Sequence, residues 1–115
     1  MKGVPAMGNP GPRLSAAYDR RALARAVIEA SKRGPLQSLT DRELALRENP
    51  MTIYPHALQR RVWAWVRFGS EAVRVDAKLV RSIPTAAGIE FRAEEQTFRC
   101  WVWGNAVEVD GVEAI

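Results

Sequence analysis

The richest chemistry in this chain lies in four tryptophans and the arginines between them. All four fall in two short segments, Arg61-Val62-Trp63-Ala64-Trp65-Val66-Arg67 and Arg99-Cys100-Trp101-Val102-Trp103. In an extended strand, successive side chains point to opposite faces. Each segment therefore sets small or branched apolar groups on one face and an Arg/Trp row on the other. Indoles interleaved with guanidinium groups are the ingredients of single-strand nucleic-acid platforms, where bases stack on rings and cations follow phosphates. The same surface equally suits a protein partner, an assembly contact or self-association. Arg74, Lys78 and Arg92 join Arg61, Trp63, Trp65, Arg67, Arg99, Trp101 and Trp103 on this face, with Asp76 and Glu90 among them.

Signatures of catalysis are absent. The single histidine, His56, sits beside Pro55, and no GxSxG, P-loop, HExxH or CxxC pattern occurs. One imidazole without a surrounding ligand set predicts neither a metal site nor a cofactor. The lone Cys100 alternates with Trp101 and so belongs to the apolar face, where it reads as a small core hydrophobe. Glu94-Glu95 falls at a turn tip, where carboxylates are solvated. The expectation is a non-enzymatic binding module with no small-molecule substrate.

The formal net charge is +4. Residues 1–56 hold nine Lys/Arg against five Asp/Glu, and residues 57–115 hold eight against eight, so the whole excess lies in the first half. Fourteen of the seventeen basic residues are Arg, the side chain suited to bidentate phosphate contacts and aromatic stacking. Both features predict an acidic partner, DNA or RNA, with a protein partner as the alternative. No apolar run reaches the length of a membrane span, and the N-terminus lacks the apolar core of a signal peptide. A cytoplasmic protein that does not engage a membrane is the corresponding expectation.

These surfaces require particular elements beneath them. Gly3, Pro5, Gly8, Pro10, Gly11 and Pro12 make residues 1–13 a flexible arm preceding one α+β domain over 14–115. An Ala-, Arg- and Leu-rich stretch ending at Gly34-Pro35 predicts a helix over 14–33, with Ser15 as its N-cap. Ala16, Leu23, Val27 and Ala30 form its docking stripe, and Arg21, Arg25 and Lys32 lie roughly opposite as a second basic surface. Thr40-Asp41-Arg42-Glu43 is a capping box, flanked by Leu39 and Leu44 as a hydrophobic staple. It opens a second helix over 40–49, closed at Asn49-Pro50.

From residue 57 to 109 the period becomes two and predicts a four- to five-stranded antiparallel meander. Gly69-Ser70 has the chemistry of a type II′ turn, which pairs Val66 with Val73, Ala64 with Val75, Trp65 with Arg74 and Trp63 with Asp76. A tight turn at Glu94-Glu95 would pair Phe91 with Phe98, Ile89 with Cys100, Glu90 with Arg99 and Gly88 with Trp101. Val107–Val109 supplies a brief last strand. A small, strongly curved sheet of this kind resembles an SH3-like open barrel in geometry. Two dispositions of the helices are open: they lie across the tryptophans, with Leu23, Val27, Leu39 and Leu44 against the indoles, or they leave the Arg/Trp face to a partner.

Overall fold

The computed structural model describes residues 12–109. A long helix α1 (Pro12–Ser31) is followed by a single helical turn α2 (Asp41–Leu44) and a two-residue strand β1 (Thr52–Ile53). Four longer strands follow, β2 (Arg61–Phe68), β3 (Glu71–Ile83), β4 (Ala86–Ala93) and β5 (Gln96–Trp103), then a 3₁₀ turn (Gly104–Ala106) and β6 (Val107–Val109). The six strands make one antiparallel sheet in the order β5-β4-β3-β2-β6, with β1 paired to the far end of β3. The hydrogen-bonded ladder does not close on itself. No described helix is long and apolar enough to cross a membrane.

Both hairpin registers follow from their turns. Val66 faces Val73, Ala64 faces Val75 and Trp65 faces Arg74, and Gly69 takes the positive φ of 60° that a II′ turn needs at its first position. In the second hairpin Ala93 pairs with Gln96, which forces Glu94 and Glu95 into a two-residue turn at φ 47° and 73°. Left-handed backbone costs about 1–2 kcal/mol at each non-glycine residue. Phe91↔Phe98, Ile89↔Cys100 and Gly88↔Trp101 continue that ladder and hold the turn in place.

Three sequence expectations are corrected. α1 begins at Pro12, so Ser15 lies within the helix and is not its cap; proline suits the first helical turn, whose amide has no intrahelical partner. Residues 1–11 of the predicted arm lie outside the described residues. The second helix is one turn and not the span 40–49. Its capping box forms, with Glu43 N–H donating to Thr40 Oγ1 at 3.1 Å and Thr40 N–H to Glu43 Oε1 at 2.9 Å. The chain then turns left-handed at Ala45 (φ 48°), and the Asn49 amide donates to the freed carbonyls of Leu44 and Ala45. The sheet has six strands, because the thirteen-residue β3 outruns the eight-residue β2 and leaves an edge at Arg81 and Ser82 for Thr52–Ile53.

The core lies on the Val/Phe face. Val62, Ala64, Val66, Phe68, Val75, Ile89, Phe91 and Cys100 are buried there, and α1 covers them with Val27, Ile28 and Ala30. Phe68 meets Phe91 and Phe98 edge-on, with centroids at 6.5 and 5.6 Å, while Phe91 stacks on Phe98 at 5.1 Å. A bulge at Val80 shifts the β3–β4 register between Leu79 and Arg81. The extra residue moves Arg81 and Ile83 onto the Arg/Trp face. There Ile83 and Ala86 form a second small core with Leu44, Leu39 and Trp101.

The end of α1 is docked against the first hairpin by a glycine pair. A Cβ at Gly34 would lie 2.8 Å from the Gly69 Cα, and Gly69 N–H donates to Pro35 O at 2.7 Å. Gly34→Ala should lower stability by about 1–3 kcal/mol, because only backbone could yield. Replacing Glu94-Glu95 by Asn-Gly should raise it by about 1–2 kcal/mol through relief of left-handed backbone. Thermal unfolding checks both, and unaltered melting temperatures would refute the contact and the turn assignment respectively.

Candidate functional site

The fold disposes the four tryptophans in two ways. Trp63 stacks under Arg74, whose Cζ lies 4.6 Å from the ring centroid and whose Nη2 donates to Glu108 at 3.0 Å. Trp101 leans over Gly88, where an added Cβ would meet the indole at 3.4 Å, and touches the small Leu39/Leu44 core. Trp65 and Trp103, by contrast, are 54% and 42% exposed. The expectation that helices cover this face therefore fails for α1, whose Val27 stripe sits in the opposite core. It holds only at Trp101, because a single turn of α2 reaches no further.

Trp65, Trp101 and Trp103 line one open groove of about 320 Å³, with Gln37, Leu39, Glu43, Arg67 and Asn105 among its walls. Its existence depends on the segment after α1. Gln37 N–H donates to Arg67 O on β2 at 2.8 Å, and Leu39 N–H donates to Trp101 O on β5 at 3.0 Å. Ser38 Oγ accepts from Trp101 N–H at 2.9 Å. Three residues of chain thus hold together two strands that the ladder separates by β3 and β4. The groove is the seam where the coiled sheet meets itself.

Electrostatics divide the same surface. Among the described strand residues of the outer face, Arg61, Arg67, Arg74, Lys78, Arg81, Arg92 and Arg99 stand against Asp76, Glu90 and Glu108, seven against three, an excess of four positive charges. Arg61 pairs with Asp76, Arg74 with Glu108 at 3.0 Å and Arg99 with Glu90 at 2.9 Å. Such exposed pairs contribute at most about 1 kcal/mol each, yet they anchor guanidinium groups in place. Arg67 Nη1 donates to Ser70 O at 3.2 Å and brings its charge to the groove wall. The α1 surface is separate: Arg21, Arg25 and Lys32 are exposed, Lys32 lies 3.6 Å from Glu29, and none of the three lines the groove.

Two further titratable groups, His56 and Cys100, do not line the groove. His56 is exposed in a 3₁₀ turn beside Arg61, Asp76, Lys78, Glu90 and Arg92. Among the described residues no group of three or more His, Cys, Asp and Glu side chains is placed to hold a metal. Cys100 is buried, and that burial pushes its thiol from the ordinary value up to about 12. Sequence patterns found the tryptophans and arginines and set Leu39 against the indoles, but missed Gln37, Glu43 and Asn105 as groove walls. These lie outside the strands, and only the capping box marks one of them. No family model, no curated protein and no solved structure matches this chain.

Two measurements test this arrangement. Iodide should quench the fluorescence of Trp65 and Trp103 preferentially, and Trp65→Ala or Trp103→Ala should cost less than about 2 kcal/mol of stability, against roughly 3 for Trp101→Ala. Equal losses at all three positions would mean that the groove is filled.

The thiol gives a pH dependence of known sign. Above its ordinary value the unfolded chain loses the Cys100 proton, while the folded chain keeps it up to about 12. The unfolded state therefore binds fewer protons, and stability falls as pH rises through that window. Between pH 9 and 11 the parent should lose stability faster than Cys100→Ala, by up to about 1.4 kcal/mol per pH unit. Parallel pH profiles would show that the thiol is solvated.

Proposed function

We propose that this chain is a non-enzymatic module that binds single-stranded DNA or RNA at the seam groove. One observation carries the reading: two indoles about half exposed, Trp65 and Trp103, line the same groove as Arg67 on a face with an excess of positive charge. Base stacking on aromatic side chains contributes about 1–3 kcal/mol per base and tolerates any sequence, while nearby guanidinium groups follow the backbone. Arg61, Trp63, Arg74 and Arg99 share the outer face with the groove as positioned cations and a stacked ring. Arg21, Arg25 and Lys32 form a second electropositive surface on α1. Return of β6 to β2 through a 3₁₀ turn supports reading the sheet as a small SH3-like open barrel.

A second reading uses the same aromatics for a protein partner or assembly contact. It is favoured by the carboxylate pairing of Arg61, Arg74 and Arg99, which lowers the charge offered to phosphates. An aromatic-lined groove also suits an extended peptide.

Titration of the full chain with short oligonucleotides, followed by tryptophan fluorescence, separates the two. Nucleic acid should quench the groove indoles, with affinity falling steeply in salt. Trp65→Ala and Trp103→Ala should each weaken binding by about 1–3 kcal/mol without unfolding the domain. Neutralising Arg21, Arg25 and Lys32 should leave the salt slope unchanged if the groove is the whole site. It should lower that slope by roughly one unit per lost phosphate contact if α1 takes part. Failure of the parent to bind any oligonucleotide would refute the nucleic-acid reading and leave the protein-partner one.

A further inference from the structure

Stacking alone treats all bases alike, so any preference must come from the polar groups that line the groove. Glu43 is the carboxylate among the groove walls and is tied to Thr40 by the capping box. Its hydrogen bonds to Thr40 N and Thr40 Oγ1, at 2.9 and 3.2 Å, both fall on Oε1. Oε2 has no partner among the described hydrogen bonds. Arg67 uses Nη1 for Ser70 O, which leaves its remaining donors for a ligand. The Asn105 amide has no described hydrogen bond and can serve as donor or acceptor.

We infer that the groove selects guanine over thymine and uracil. This rests on the nucleic-acid reading and adds base identity to it. An ionised carboxylate only accepts hydrogen bonds. Guanine presents two adjacent donors, N1–H and the N2 amino group, and on its other edge the adjacent acceptors O6 and N7 that a guanidinium recognises. Thymine and uracil present one N–H between two carbonyl oxygens, so a carboxylate facing that edge meets repulsion as well as attraction. Adenine and cytosine fall between, because each offers an amino donor next to an acceptor nitrogen. Glu43 needs no reorganisation to act, since the capping box has already fixed its side chain.

The test compares two oligonucleotides on the full chain at one salt concentration: a thymidine pentamer and the same pentamer with one central guanine. The guanine pentamer should bind roughly ten-fold or more tightly, the effect of one well-formed base contact. Glu43→Gln keeps the capping-box chemistry, so its melting temperature should match that of the parent while the preference falls to less than about three-fold. Equal binding of the two pentamers by the parent would overturn the selectivity and leave nucleic-acid binding standing, whereas a preference that survives in Glu43→Gln would overturn the role of Glu43 in it. Absence of binding to either pentamer would overturn both, and binding of an extended proline-rich peptide instead would assign the groove to a protein partner.

Discussion

Two backbone hydrogen bonds from one short segment set the shape of this domain, Gln37 N–H to Arg67 O and Leu39 N–H to Trp101 O. In a flat sheet with the observed registers, Arg61, Lys78, Glu90 and Arg99 form one row across four strands. Trp65 lies four residues above that row on β2, and Trp103 four residues below it on β5, which places them roughly 30 Å apart at ordinary strand spacings. They nevertheless share a groove. Only a sheet that coils through the right-handed twist of its strands, with β5 tied back to β2, brings them together. The Gly34–Gly69 contact starts the segment at the right place, and the capping box at Thr40 ends it.

Coiling also explains why α1 and the tryptophans do not compete. The Val/Phe side of the strands becomes the inside, where α1 packs on β3 and β4. The Arg/Trp side becomes the outside. Its coverage is limited to what one helical turn and a two-residue strand can reach. Large apolar surface left in solvent is unfavourable by about 25 cal/mol per Å². The half-exposed indoles of Trp65 and Trp103, like the exposed Ile53 and Leu58, are therefore apolar surface that the fold does not use for its own stability.

The charged pairs act on position more than on stability. Arg61–Asp76 and Arg99–Glu90 join neighbouring strands, while Arg74–Glu108 reaches from β3 across β2 to β6, and each holds a guanidinium group on the outer face in a defined place. Arg74 additionally caps the Trp63 ring and removes that indole from the accessible set. A row of four tryptophans in the sequence thus becomes a supported ring, a packed ring and two available ones.

By itself the sequence determined the faces and registers. Turn chemistry at Gly69-Ser70 and strict alternation of Val62, Ala64 and Val66 with Arg and Trp admit one pairing, since a one-residue slip would expose the whole core face. The capping box was legible for the same reason: it is a local contact between residues three apart. Glu94-Glu95 disfavours its own tight turn, yet the alternation on either side imposes it. Tertiary structure alone decided which face α1 covers, because an amphipathic stripe states that a helix docks and not where. It alone shortened α2, through the left-handed Ala45, and placed a bulge at Val80 that reassigned Ile83 to the outer face. The groove itself was invisible in the sequence. Its walls come from segments separated by more than sixty residues, such as Ser38 and Trp101, and their meeting is a consequence of sheet curvature that no local pattern encodes.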